Sequence, residues 1–229
     1  MPWLPVLAFF GAGLFTVSVL VPLGLFFFVT VRRGPRQPRV ALTFDDGPDP
    51  ASTPALLEAL AKHGIRATFF CPARQLTAHP QLAEAMITGG HELANHSSTH
   101  PWQLALMSRA DAQKELSAAQ GVLRLFGNET RFFRPVAGVV SPPLLRAARS
   151  LGLVTVTWTA RALDGVGQVS AKKAFARLRR GFVPGGILML HDRPGSPAAA
   201  LVAELYAESR ALQLPLVTLS HLFHGTEPH

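Results

Sequence analysis

Of the 229 residues only one is a cysteine and only 14 are acidic, against 22 lysines and arginines and a formal charge of +8. A single thiol cannot close an internal disulfide, so a disulfide framework is excluded. Cys71 lies in the apolar run Ala67-Thr68-Phe69-Phe70-Cys71 and reads as a small buried hydrophobe, which leaves the redox compartment open. Zinc-finger spacing is missing, as is any interleaving of aromatic and basic residues, so nucleic-acid binding is not expected. No internal repeat or low-complexity segment stands out, which argues against a solenoid or an array. Across residues 3–31 charge is missing altogether.

That uncharged run is rich in Leu, Phe and Val and is longer than the roughly 20 residues that span a hydrocarbon core. It is expected to be one membrane anchor in contact with lipid (residues 1–31). A cleaved signal peptide would need a basic n-region and a small-residue cleavage site, neither of which is clear. A two-pass hairpin broken near Pro22-Leu23-Gly24 is a further alternative. Arg32, Arg33, Arg36 and Arg39 follow the run and supply half of the excess charge. Such a cluster suits a juxtamembrane position beside anionic headgroups, in a linker over residues 32–38. A second basic group, Lys172, Lys173, Arg177, Arg179 and Arg180, falls in a predicted helix and reads first as a solvated face.

Beyond the linker, short β-rich runs occur at 40–44, 67–71, 132–133, 153–158, 187–190 and 216–219, with another at Glu92-Leu93-Ala94. Helical patterns separate most of them, at 53–63, 81–88, 110–126, 143–151, 171–180 and 198–212. Alternation of this kind implies parallel strands and an α/β fold. Six to seven βα units suggest a closed or nearly closed (β/α) barrel, smaller than the usual eightfold one and preceded by one N-terminal transmembrane helix, with a doubly wound open sheet as the alternative. In both, chemistry belongs at the C-terminal ends of the strands. Polar residues gather there: Asp45 and Asp46, His96 and His100, Arg134, and His191 with Asp192.

His96 and His100 stand four residues apart and would share a face if their segment were helical, which suits gripping one ion. Two histidines alone are weak evidence, but two histidines and a carboxylate leave open positions on a metal. Asp45 and Asp46 are candidates for that carboxylate. They are also compatible with a plain Asp-Asp-Gly-Pro turn. His191 closes the most apolar strand and is a candidate general acid, with a structural role as the alternative.

Thr43-Phe44-Asp45-Asp46-Gly47-Pro48, then Gly90-His91-Glu92 and His96-Ser97-Ser98-Thr99-His100, resemble the first two motifs of the polysaccharide deacetylases, carbohydrate esterase family four. Arg134-Pro135 with Gly138, Trp158 with Asp164, and Leu188-Met189-Leu190-His191-Asp192 follow in the family's order. The resemblance covers residues 39–222 and leaves 223–229 as a tail. It implies a distorted, incomplete (β/α) barrel and hydrolysis of the amide of N-acyl, first of all N-acetyl, amino sugars in a poly-, oligo- or lipid-linked saccharide. It also implies one divalent ion on Asp46, His96 and His100, zinc in first place with cobalt, manganese or nickel as alternatives. Asp45 would be the base and His191 the acid. Arg134 would tune Asp45, Asp164 would pair with His191, the backbone near Ala137 would help bind the oxyanion, and Leu188 or Leu190 would line the acyl pocket. No obligate protein partner is implied.

Val136 and Ala137 stand where the family usually has a proline and an aromatic, and Arg161 and Gly165 stand where an acid and a tryptophan are common. These departures touch substrate fit. Rival readings are an inactive glycan-binding module, another metal hydrolase and an iron(II) oxygenase; βα alternation argues against the last. The arginines after the anchor favour a cytoplasmic catalytic domain, whereas family habit favours an outward one.

Overall fold

The computed structural model describes residues 30–225 apart from Val166. The expected anchor therefore lies outside the described residues, save Thr30 and Val31. Among the described residues no helix is long and apolar enough to cross a membrane.

Among the described residues eight strands follow in order: β1 Val40–Asp45, β2 Thr68–Cys71, β3 Glu92–Asn95, β4 Phe132–Phe133, β5 Val154–Thr155, β6 Ala160–Arg161, β7 Ile187–His191 and β8 Leu216–Val217. Seven of them form one path, β5-β4-β3-β2-β1-β7-β6, and β8 joins the start of β1. Every pairing is parallel. The helices are α1 Thr53–Lys62, α2 Ala73–Ala78, α3 Pro80–Thr88, α4 Arg109–Leu125, α5 Pro142–Ser150, α6 Ala171–Leu178, α7 Ala198–Ala211 and α8 Leu219–His224.

The outermost strands of the path, β5 and β6, are neighbours in the chain. Thr155 and Ala160 are five residues apart, a reach of at most about 18 Å, so the sheet has to curl until its edges nearly meet. Val156 N still donates to Phe133 O at 2.8 Å, and Thr159 N donates to Ile187 O at 2.8 Å. Thr157 and Trp158 alone bridge the two edges. This crossing is why the strand expected over 153–158 is cut to two residues, and why β6 went unforeseen. It also rules out the open doubly wound sheet.

Side chains alternate across a strand, and here the alternation separates two layers. Val40, Leu42, Phe44, Phe69, Leu93, Leu188 and Leu190 face outward into a core shared with α1, α6 and α7. Ala41, Phe70, Ala94, Phe132 and Ile187 face inward and fill the bottom of the curl, closed off by Leu219 and Leu222 of α8. A third cluster packs α4 and α5 over Phe133.

The linker is docked rather than free. Val31 pairs with the crossing segment around Val156, Gly34 N donates to Gly185 O, and Gly185 N donates to Arg39 O. At the other end β8 stops at Val217 because Thr218 caps α8, its hydroxyl accepting from His221 N. That helix runs past Leu222, and Phe223 packs against Phe132 with ring centres 5.5 Å apart. The folded unit thus continues beyond residue 222. The second basic cluster is largely solvated, as expected: Lys172, Lys173 and Arg180 are exposed, and Arg179 pairs with Glu208 at 2.8 Å.

Candidate active site

The inward alternation of the strands turns polar at their C-terminal ends. On β1 it runs Ala41, Thr43, Asp45; on β7, Ile187, Met189, His191. After β3 it passes from Ala94 to His96, and after β4 from Phe132 to Arg134. Four side chains from four segments are thereby turned toward one cavity of about 380 Å³, which Asp45, Asp46, His96, His100 and His191 help to line.

Asp46 follows Asp45 with φ 79°, in the left-handed region. This turn swings its carboxylate toward the histidines: Oδ1 lies 3.5 Å from His96 Nε2 and 3.2 Å from His100 Nε2. The ligand atoms of all three residues lie within 4.8 Å of one another. Bonds of about 2.0–2.1 Å at tetrahedral angles place ligand atoms about 3.3 Å apart, so the spacing fits a zinc-sized ion. His96 Nδ1 is 2.7 Å from the Arg134 carbonyl. A proton on Nδ1 satisfies that contact and leaves Nε2 free to ligate, the usual arrangement behind a metal-bound imidazole. Burial by itself would raise the Asp46 carboxyl. Hydrogen bonds to His100 and His96, and the charges of His96 and His191, outweigh it and hold the acid well below its usual range.

The histidine pair does not sit on a helix. Residues 96–100 form a loop in which Ser97 and His100 have φ of 67° and 56°. Side-chain acceptors hold it in shape. Asn95 Oδ1 takes Ser97 N at 2.9 Å, and Ser97 Oγ takes His100 N at 3.1 Å. Glu115 of α4 takes Ser98 N and Thr99 N at 3.1 and 3.0 Å and the Thr99 hydroxyl at 3.1 Å. Glu115 carries no motif and was not foreseen.

Arg134 is fully buried. Its Nη1 donates to Asp45 Oδ1 at 2.6 Å and to Thr43 Oγ1 at 2.8 Å; Nη2 donates to the Thr157 carbonyl at 2.9 Å. The guanidinium lies 4.0 Å over the Phe70 ring. Burial lowers its pKa from the ordinary value, with Asp45 opposing the shift. Oδ1 of Asp45 is thereby taken, and Oδ2 is the oxygen left for chemistry.

His191 Nδ1 meets Asp164 Oδ1 at 2.8 Å, while Asp164 Oδ2 accepts from His191 N at 3.0 Å and Ser196 Oγ at 2.7 Å. Burial disfavours the imidazolium. The hydrogen bond that His191 donates to Asp164, with the charges of Asp45, Asp164 and Asp46, more than offsets it and raises the His191 pKa. Asp164 itself is pulled below its usual range: burial opposes, but the bonds from His191 and Ser196 prevail. A Cβ on Gly165 would lie 2.6 Å from His191 Cε1, so a tryptophan there would displace this ring.

Asp192 turns away from the cavity. It is buried and accepts from Ser52 Oγ at 2.7 Å and Thr53 Oγ1 at 2.6 Å, tying β7 to the start of α1. Burial, helped by the charges of Asp49 and Asp46, pushes its carboxyl up to about 6 against those two hydrogen bonds.

Ala137 lines the cavity with φ 54° in the turn Val136–Gly138. Gly138 permits the Trp158 indole to pack on that turn, where a Cβ would collide with it. The expectation for Leu188 and Leu190 is corrected: both belong to the outward core, and Met189, on the opposite alternation, lines the cavity instead. Trp158, Arg161, Leu163 and Arg193 also line it.

Residues 32–156 match the family model described as polysaccharide deacetylase. The chain belongs to the polysaccharide deacetylase family. Among curated members, a chitooligosaccharide deacetylase of Sinorhizobium fredii is 36% identical over 167 residues, which cover 70% of this chain and 75% of that protein. A peptidoglycan-N-acetylglucosamine deacetylase of Bacillus cereus is 32% identical over 157 residues, covering 68% of this chain and 56% of the relative. Among solved deacetylases, the Bc1960 peptidoglycan N-acetylglucosamine deacetylase, crystallised with a naphthalenyl N-hydroxybenzamide, superposes with a TM-score of 0.80. It is 27% identical, with 88% of this chain and 95% of that one covered. Members of this deacetylase family are hydrolases of carbon–nitrogen bonds other than peptide bonds, and the curled sheet is the fold of the group.

Proposed function

We propose that this protein is a metal-dependent N-deacetylase of saccharides containing N-acetylated amino sugars, releasing acetate and a free amine. The observation that carries this reading is one cavity in which the Asp46–His96–His100 cluster, the Arg134-bound Asp45 and the Asp164-bound His191 all meet.

Asp46, His96 and His100 would hold a divalent ion, with zinc in first place, and such an ion would supply Lewis acidity toward the amide carbonyl. Asp45 accepts a proton from the attacking water through its free Oδ2, and Arg134 keeps that carboxylate in place. The backbone at the Ala137 turn donates to the oxygen on which negative charge develops. His191 carries a proton on Nε2 and delivers it to the departing nitrogen, which is otherwise a poor leaving group. Asp164 holds Nδ1–H and so fixes both tautomer and ring orientation. The water's hydroxyl ends on the acyl carbon and the His191 proton ends on the amine, with no covalent enzyme intermediate.

The uncharged run at residues 3–31 supports a tether to the membrane, and the arginines behind it favour the cytoplasmic side. A reporter fused to the C-terminus and detected on intact cells would overturn that side.

The decisive experiment measures metal content and acetate release with the purified full-length chain beside His96→Ala and Asp46→Ala. Near-stoichiometric metal and acetate release from N-acetylglucosamine oligomers, both lost in the two variants, is the expected result. A folded wild-type chain that binds neither zinc, cobalt nor manganese would leave the inactive glycan-binding module as the better reading.

A further inference from the structure

Two guanidinium groups line the same cavity as the reactive residues, and the deacetylation steps use neither. Arg161 closes β6 directly beside Met189 of β7, two positions before His191. Its guanidinium lies 5.2 Å over the Trp158 ring, within cation–π range. Arg193, two residues past His191, donates Nη1 to the Gly165 carbonyl. Among the described residues neither forms an ion pair. A stacked or singly bonded guanidinium retains most of its five donors, and these two retain them at the cavity wall.

The charge balance of the cavity points the same way. Asp45 and Asp46 are the carboxylates that line it. The first is engaged by Arg134 at 2.6 Å and the second lies between two histidines. Nothing acidic is left over for Arg161 and Arg193. An amino sugar with only hydroxyl groups would leave both cations without a counter-charge, whereas a carboxylate or phosphate could accept a forked pair of hydrogen bonds from either.

We propose that the cavity selects amino sugars bearing an anionic group, a carboxylate or a phosphate, which Arg161 and Arg193 bind while the amide lies over Asp46, His96 and His100. This inference rests on the deacetylase reading above. Arg161 is exposed and takes the anion on the Trp158 side. Arg193, partly buried and anchored to the Gly165 loop, takes it on the His191 side.

The test compares acetate release by the zinc-loaded full-length chain from a neutral chitooligosaccharide, from N-acetylglucosamine 1-phosphate and from N-acetylmuramic acid. At least one anionic substrate is expected to exceed the neutral one about tenfold in kcat/KM, carried by KM, with the advantage shrinking as salt rises. The phosphate and lactyl arms tell which anion is taken. In Arg161→Gln, and more strongly in Arg161→Glu, the ratio of anionic to neutral turnover should fall several-fold. That ratio is internal to each preparation, so partial loss of folded enzyme does not move it. Equal turnover of neutral and anionic substrates, or a ratio indifferent to Arg161 and to salt, would overturn the anion subsite and leave the deacetylase standing. Failure to hydrolyse any of the three would overturn both.

Discussion

Glu115 sits on α4, 15 positions past His100, and its carboxylate joins Asn95 and Ser97 as an acceptor that shapes the loop between the two histidines. Replacing it with alanine removes three hydrogen bonds, to Ser98 N, Thr99 N and the Thr99 hydroxyl. A hydrogen bond to a charged acceptor is worth about 1.5–3 kcal/mol when shielded. The two Thr99 bonds are exposed, so water replaces much of what they contribute. What survives is the loss of order in a loop whose Ser97 and His100 already occupy left-handed backbone. The expected consequence is a loss of about 10- to 100-fold in metal affinity, the range for contacts that orient ligands from behind. A chelator competition titration of zinc against Glu115→Ala measures it. Glu115→Gln keeps one oxygen able to take both backbone N–H groups and should recover most of the affinity. Melting temperature of the metal-free protein should change little, because the loop is at the rim. An alanine variant that binds zinc as tightly as wild type would refute the positioning role, and so would a loss of affinity shared equally by the glutamine variant.

Arg134→Met leaves the Asp45 carboxylate buried without its cation, and urea unfolding should show a loss of about 3–5 kcal/mol; a loss under about 1 kcal/mol would contradict the ion-pair account. Pairing that change with Asp45→Asn should restore much of the stability and none of the activity. Asp164→Asn removes the main cause that raises the His191 pKa, so the pKa falls. Activity needs the protonated acid and is lost as pH rises through that pKa, so the basic limb of the kcat profile should move to lower pH; an unmoved limb would argue against His191 as the proton donor. Asp192, raised to about 6 from 3.8, holds its proton more tightly in the folded state. Its contribution to stability is present below about pH 4 and disappears as pH rises through 6, a swing of up to about 3 kcal/mol. Asp192→Asn should therefore gain on wild type in metal-free urea melts at pH 8 and not at pH 4, and an equal difference at both pH values would refute the burial argument.

The order of most strands and helices was legible because each run carried its own period, whereas β6, α2 and α8 are too short to show one. Residues at strand ends were legible because chemistry in this architecture collects there. Parity along β7 was legible in principle: Met189 shares the alternation of His191, so Met189 and not Leu188 or Leu190 had to face the cavity. The shape of the histidine loop was not legible. Four-residue spacing suits a helix, and only the acceptors from Asn95, Ser97 and Glu115 make the left-handed alternative the stable one.

By itself, the sequence determined the α/β alternation, the identities of the metal-type cluster and the acid and base candidates, and the excess of positive charge, all of which are local patterns or short motifs. Tertiary structure alone decided the rest. The crossing at Thr157 and Trp158 carries the chain from one sheet edge to the other, and this curls the sheet around a single cavity. Glu115 reaches the histidine loop from α4, and Arg161 and Arg193 come to line the same wall. Such contacts depend on which strands lie side by side, a property of the whole packed sheet that no short window of residues contains.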